Sequence, residues 1–300
     1  MMTKKIAIVT GADKKYFPFL KNLVFSLKKT QSLDICDLCI LTVDEDNSYI
    51  TEINDLIDKR KPATFSVNIK YEDKKNWHKL LTERPYIREY FPGYKKYIWL
   101  DADTEVLDVD AIKNLDEATE EKDLAITPES CESYVFKNSN FGIKKIFSSI
   151  YKISGWSFKN YNRYFGKNLG EKLFFNPLFN NGVFCMRDDS TIWEKWKNEY
   201  QNALNKAKTS YGVKTDQLSL NKIIYEKFKS VSILDTTNNW IISKSEPVIK
   251  KDNLFLTPSF PRRKINILHY TNFSFEDSFN YNLNNEESSM PILSNKYENR

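Results

Sequence analysis

Short apolar runs alternate with amphipathic stretches through the first half of the chain. Ile6-Ala7-Ile8-Val9 reads as a strand, Phe17 to Lys29 as an amphipathic helix, and Leu38 to Val43 as a second strand. The pattern predicts a helix from Tyr49 to Lys59, a strand from Phe65 to Lys70, and a helix from His78 to Tyr90. A strand follows at Tyr97-Ile98-Trp99-Leu100, with Ile98 and Leu100 making its core alternation, and it stops at Asp101. A short segment at Val106-Leu107, a helix from Asp110 to Leu115 and a strand from Leu124 to Thr127 complete this half. Alternation of this kind predicts an α/β fold, with a mainly parallel sheet covered by helices.

The pattern dissolves between Cys131 and Phe179 into an aromatic, basic stretch containing Trp156, Phe158, Tyr161, Tyr164, Phe165, Phe174 and Phe175. Such side chains pack a subdomain, or they face an acceptor or a membrane surface. Regular structure resumes with a strand at Asn181 to Met186 and helices at Ile192 to Lys206 and Thr215 to Lys227. Short strands at Val231 to Leu234 and Ile265 to Leu268 are expected to close the sheet. A single domain over 1–275 is expected, with a nucleotide-binding half at 1–128 and an acceptor-side half at 129–275. The polar, Asn-rich residues 276–300 read as a tail.

Composition narrows the class. With 41% hydrophobic residues over 300 positions the chain has enough apolar surface for a substantial core. No apolar run approaches the roughly 18 to 20 residues of a spanning helix, and Met1 to Lys5 lead into a strand rather than a signal-peptide core, so a cytoplasmic protein is expected. A net charge of +5 from 45 basic and 40 acidic residues is too small and dispersed for a nucleic-acid binder, though it suits anionic substrates or a peripheral membrane contact. Cys36, Cys39, Cys131 and Cys185 lack the paired spacing of a zinc site and read as reduced, structural thiols, with a redox role for Cys36 and Cys39 as the other reading.

The chemistry concentrates at Asp101-Ala102-Asp103, where an apolar strand stops on two carboxylates. Asp is a common turn residue, so this step can cap a turn. At the carboxyl end of a strand in an α/β sheet it can equally hold a hard divalent cation, leaving positions open for substrate phosphates.

Tyr97 to Thr104, Phe179-Asn180-Asn181-Gly182-Val183 and Thr215 to Asn221 together resemble three ordered motifs of GT-A (Rossmann-like) glycosyltransferases, most closely the family 8 enzymes, over about residues 4 to 270. The resemblance implies a metal-dependent transferase that moves a sugar from a nucleoside diphosphate donor, a UDP-sugar, to a hydroxyl acceptor, with retention of configuration. Mn2+, or Mg2+, is the implied cofactor, with Asp103 as ligand, Asp101 as second ligand or ribose contact, and His269 as ligand from a late strand. The family's glycine and Lys-Pro-Trp pattern is absent after Tyr270.

By the same resemblance Thr10, Asp13 and Tyr16 surround the nucleoside, Ala102, Asn181 and Gly182 contact the donor, and Lys79 or Arg84 reaches its phosphates. Asp216 orients a sugar hydroxyl or acts as general base, and Gln217 stabilises the far face of the sugar centre. Each residue also has an ordinary structural use. Asp13, Thr215 and Asp216 cap helices, Lys79 and Arg84 suit an exposed face, and a lone histidine packs in cores. The acceptor class is a saccharide, a lipid-linked glycan or a protein, in surface glycan or lipopolysaccharide synthesis. A sugar nucleotidyltransferase and a non-catalytic nucleotide-sugar-binding module are the rival readings. The first would carry a glycine-rich phosphate loop that Thr10-Gly11-Ala12-Asp13 matches poorly.

Overall fold

A computed structural model describes residues 5–70, 75–134, 141–147, 150–173, 176–250 and 254–278. In chain order the elements are β1 (Ile6–Ala12), α1 (Phe17–Lys29), β2 (Asp37–Thr42), β3 (Lys59–Pro62), α2 (Trp77–Glu83), α3 (Ile87–Tyr90), β4 (Lys96–Leu100), β5 (Thr104–Val106), α4 (Asp110–Glu117) and β6 (Leu124–Pro128). There follow β7 (Phe141–Phe147), β8 (Ile150–Gly155), α5 (Trp156–Phe165), α6 (Lys167–Leu173), β9 (Phe179–Arg187), α7 (Ile192–Lys206), α8 (Asp216–Glu226), β10 (Val231–Ile233), β11 (Trp240–Ile241), β12 (Val248–Lys250), β13 (Leu254–Leu256) and β14 (Ile267–His269).

Seven strands form the central sheet in the order β10-β6-β9-β4-β1-β2-β3. All neighbours run parallel except β9, which lies antiparallel to both β4 and β6. Side chains alternate between two buried faces. Ile6, Ile8, Ile98 and Leu100 join α1 and α4 on one face, whereas Ala7, Val9, Tyr97 and Trp99 join α3, α7 and α8 on the other. A strand buried on both faces needs apolar residues at every position, which is why these runs are continuous. The mixed, mainly parallel sheet flanked by helices is the expected class.

Three local expectations change. Phe65 to Lys70 is not a strand; the third parallel strand is the preceding Lys59–Pro62, charged and at the sheet edge. The backbone N–H groups of Ser66 and Asn68 donate instead to the side chains of Glu83 and Gln201, so no ladder forms there. The helix expected from His78 to Tyr90 is divided into α2, a 3₁₀ turn at Arg84–Tyr86 and α3, because Pro85 lacks the N–H that a continuous helix requires. The segment from Tyr49 is a 3₁₀ helix, Ser48–Leu56.

The strand expected at Ile265 to Leu268 does not close the central sheet. As β14 it forms a separate three-stranded sheet with β11 and β5. Between Cys131 and Phe179 the described residues form the β7–β8 hairpin and helices α5 and α6, in which Tyr161 and Tyr164 are buried and Trp156 is exposed. Phe174, Phe175 and residues 279–300 of the polar tail lie outside the described residues. Cys36, Cys39, Cys131 and Cys185 are free thiols, and burial pushes the Cys39 thiol up to about 12, which suits a structural role rather than a redox one. Among the described residues no helix is long and apolar enough to cross a membrane.

Candidate active site

The antiparallel β9 is what assembles the site. Its first residues lie beside the carboxyl end of β4, with Leu100 opposite Val183, and the Asp101 N–H donates to the Gly182 carbonyl at 2.7 Å. The chain then turns tightly, Thr104 donating through its N–H and its hydroxyl to the Asp101 carbonyl. The turn and the ligand readings of Asp-Ala-Asp therefore coexist. The turn leads into β5, which pairs with β14 so that Thr104 faces His269, and the Tyr270 N–H donates to the Asp103 carbonyl at 2.8 Å.

Register thus carries a histidine from far along the chain to the two carboxylates. His269 Nε2 lies 3.3 Å from Asp103 Oδ1 and 3.8 Å from Asp101 Oδ2. Its Nδ1–H donates to Asn239 Oδ1 at 2.9 Å, and Asn239 is itself oriented by donating to Asn180. An imidazole held at Nδ1 by an amide oxygen presents Nε2 as the ligating atom. One ligand atom from each of Asp101, Asp103 and His269 lies within 4.8 Å of the others. Burial opposes both charges, but the His269–Asp103 attraction outweighs it, lowering the Asp103 carboxyl and raising the His269 imidazole from their ordinary values.

Gly182 closes against this cluster. A Cβ there would meet His269 Cε1 at 2.5 Å and Asp101 Oδ2 at 2.7 Å, so only a glycine fits without displacing a ligand. Two carboxylates and one imidazole form a donor set suited to a divalent ion between hard and borderline, which fits manganese and, with its oxygens, magnesium.

Arg84 ties this corner to the opposite wall. Its Nη2 donates to Asp101 Oδ1 at 2.5 Å, and its Nη1 donates to Asp216 Oδ2 at 2.7 Å and Asn181 Oδ1 at 3.2 Å. Asn181 also donates to Asp216 Oδ2, and the Trp99 indole N–H donates to Asp101 Oδ1. Asp101 therefore spends Oδ1 on the protein and turns Oδ2 toward the cluster. Burial disfavours the Arg84 cation, but Asp101 and Asp216 outweigh it and hold the guanidinium firmly protonated. Burial also raises the Asp216 carboxyl above its ordinary value, against the pull of Arg84 and Asn181.

Gln217, in the first turn of α8, donates through Nε2 to Glu129 Oε1 at 2.7 Å and to the Phe179 carbonyl at 3.0 Å. Both amide hydrogens are then used, leaving Oε1 as the group free to meet a ligand. Glu129, just past β6, also accepts from Asn180 Nδ2 at 2.9 Å and from Lys244 Nζ at 2.8 Å. Burial pushes its carboxyl up, yet Lys244 and these donors carry it below the ordinary value.

Two adjoining cavities, of about 280 and about 170 Å3, open on this constellation and share Trp77, Leu81, Arg84, Asp101 and Asp103. The larger takes in Asn180, Asn181, Gly182, Asp216, Gln217 and His269, and the smaller takes in Asp13, Tyr16 and Ala102. Asp13 caps the following 3₁₀ turn by accepting from the Tyr16 N–H, so its structural use holds as well. Two expected contacts are not brought to the cavities. Thr10 is fully buried inside β1, and the Lys79 ammonium lies 5.9 Å from the Phe65 ring, away from the cavity lining. Arg84 is present, but its fork is committed to carboxylates rather than left exposed.

Trp77, Asn180, Trp156 and Lys214 line the larger cavity, while Glu129 and Asn239 orient its residues; of these six the sequence offers only Trp156, as one of the aromatic residues that pack a subdomain or face an acceptor or a membrane surface. Asn180 stood inside a recognised motif. Glu129 and Asn239 carry no local signal, because their partners are 88 and 30 residues away.

Against the sequences of curated proteins the chain has no match. Among solved structures it is similar to the galactosyltransferase LgtC in complex with donor and acceptor sugar analogs, at 14% identity and a TM-score of 0.51, covering 97% of this chain and 99% of that one. It is also similar to the apo bifunctional glycosyltransferase WbbM (14% identity, TM-score 0.57, 95% of this chain and 50% of that one). A third is the apo glycosyltransferase GlyE of Streptococcus pneumoniae TIGR4 (16% identity, TM-score 0.51, 97% and 66%). The chain thus spans half the length of WbbM and nearly all of LgtC. These likenesses establish the GT-A fold. The family model for glycosyl transferase family 8 matches residues 7–273, a span that takes in all but the first residue of β1, the Asp101–Asp103 turn, α8 and His269. The chain therefore belongs to glycosyltransferase family 8, whose members use nucleotide-sugar donors.

Proposed function

We propose that this protein transfers a hexose from a UDP-sugar to a hydroxyl of a saccharide acceptor, with retention of configuration, in the synthesis of a surface glycan. The observation that carries the reading is the convergence of Asp101, Asp103 and His269 on one point, with Asp216 and Gln217 on the facing wall of the same cavity. LgtC, captured with donor and acceptor sugar analogs, supports a nucleotide sugar and a saccharide as the two partners. Residues 1–275 act as one catalytic domain, since the ligand set and the facing wall each draw on both halves.

Asp101, Asp103 and His269 would hold manganese or magnesium, which supplies positive charge to the diphosphate of the donor and of the departing nucleoside diphosphate. The remaining work falls to the chain. Tyr16, half-buried beside Asp13 and Ala102 in the smaller cavity, offers a ring face to the base, and Asp13 accepts from a polar edge of the nucleoside. Asn181 and Gly182 bring the β9 backbone close to the sugar. Asp216, oriented by Arg84 and Asn181, accepts from a sugar hydroxyl. Gln217 directs its carbonyl oxygen at the sugar face remote from the leaving group, where positive charge develops as the glycosidic bond loosens.

The test is to incubate the protein with manganese and a panel of nucleotide sugars, and to measure nucleotide binding and nucleoside diphosphate release. UDP-sugar binding that requires the metal and is lost in Asp103→Ala is expected. Failure to bind any nucleotide, or an Asp103→Ala variant that turns over like the parent, overturns the assignment.

A further inference from the structure

A third cavity, of about 550 Å3, lies on the acceptor side and takes no part in the constellation above. Arg163, Tyr164, Lys206, Lys208 and Thr209 line it, so that three cations converge with no carboxylate among the lining residues. Like charges gathered in one concavity repel one another, and an anion seated among them relieves that repulsion. Neither the Arg163 nor the Lys208 side chain has an ion-pair or hydrogen-bond partner among the described residues. Arg163 only stacks on the Tyr164 ring, at 6.0 Å from its centroid. Tyr164 is buried against Ala203 and Ala207, and Lys206 bridges the two helices by donating to the Tyr164 carbonyl at 2.7 Å.

Helix ends account for part of this arrangement only. Arg163 and Lys206 sit in the last turns of α5 and α7, where cations complement the helix dipole. Lys208 and Thr209 lie past the end of α7, and Thr209 makes no side-chain cap to the 3₁₀ helix that follows it.

Two elements connect this cavity with the transfer site. Helix α5 begins at Trp156, which lines the larger catalytic cavity, and reaches Arg163 seven residues on, a rise of about 10 Å. The 3₁₀ helix Ser210–Thr215 leads from Thr209 to Lys214 and Asp216, which also line the catalytic cavity. The basic cavity is thus joined to the catalytic cavity through two separate elements.

We propose that this cavity binds a phosphate group carried by the acceptor, so that the saccharide end of the same molecule reaches Asp216 and Gln217. The assignment to an acceptor rests on the transferase reading above; the phosphate site itself does not. Arg163 supplies the planar fork that matches phosphate oxygens, Lys206 and Lys208 add point charge, and the Thr209 hydroxyl adds a neutral donor.

Calorimetric titration of the full chain with inorganic pyrophosphate in metal-free buffer tests the site directly. The parent and Asp103→Asn should bind alike, and the double variant Arg163→Ala, Lys208→Ala should lose about tenfold or more in affinity, as the removal of charge-assisted contacts predicts. Absence of binding by the parent, or equal binding by the double variant, overturns the proposal. Both substituted residues are exposed, so the fold is retained, and metal-dependent release of nucleoside diphosphate by the double variant reports separately on the transferase reading. Sedimentation with phosphatidylglycerol vesicles identifies the source of the phosphate. Vesicle binding that the double variant loses assigns it to a lipid-linked acceptor, and pyrophosphate binding without vesicle binding assigns it to a soluble phosphorylated one.

Discussion

The two walls of the catalytic cavity are built by different means. On the Asp101–Asp103–His269 wall the side chains are set by backbone register, through β4 against β9 and β5 against β14. On the Asp216–Gln217 wall they are set by side-chain networks, in which Arg84 and Asn181 hold Asp216 while Glu129, itself held by Lys244, holds Gln217. A register-built site tolerates the loss of a polar group, because the ladder that carries it remains. A network-built site does not, because each member leaves another buried and unpaired.

That contrast can be broken most sharply at its two acids. Asp103→Asn should lower kcat/KM on the order of 10³-fold by removing charge from the proposed metal site, as losses of preorganised electrostatic groups do, without moving the unfolding midpoint by more than a few degrees. Asp216→Ala should reduce activity and also destabilise the fold by about 3 to 5 kcal/mol in urea unfolding, since it leaves the buried Arg84 with a single carboxylate. Equal stability losses in the two variants would remove the distinction between the walls.

Smaller effects sharpen it. Asn239→Ala frees the His269 ring, and manganese affinity measured by calorimetry should fall about 10- to 100-fold, the usual cost of losing a group that orients a metal ligand. An unchanged affinity would mean that register alone fixes the imidazole. Glu129→Gln should reduce kcat about tenfold while leaving donor KM and metal affinity alone, because it weakens one charge-assisted bond that fixes the Gln217 amide. A change in donor KM without a change in kcat would place Glu129 in donor binding instead.

Legibility in the sequence follows the same division. The run from Tyr97 to Asp101 shows a core strand ending on a carboxylate, and the resemblance of the short motifs at Asn181-Gly182 and Asp216-Gln217 points to residues that line the same cavity, because each is a local pattern. The strand expected at Phe65 to Lys70 failed for a tertiary reason: Glu83 and Gln201 take the N–H groups of Ser66 and Asn68 that a ladder would have used. Lys79 and Arg84 could not be ranked for a related reason, since proximity in sequence says nothing about which side chain turns inward.

By itself the sequence determined the α/β class, the strand that stops at Asp101 and the order of the three motifs, since apolar period, turn residues and short motifs are properties of neighbouring positions. Tertiary structure alone decided that β9 runs antiparallel and delivers Gly182 to Asp101, that β14 leaves the main sheet to bring His269 to Asp103, and that Arg84 clasps Asp101 to Asp216. Those facts depend on which strand edges pair and which charges are buried together, and such pairings are chosen by the free energy of the whole fold rather than by any local stretch of chain.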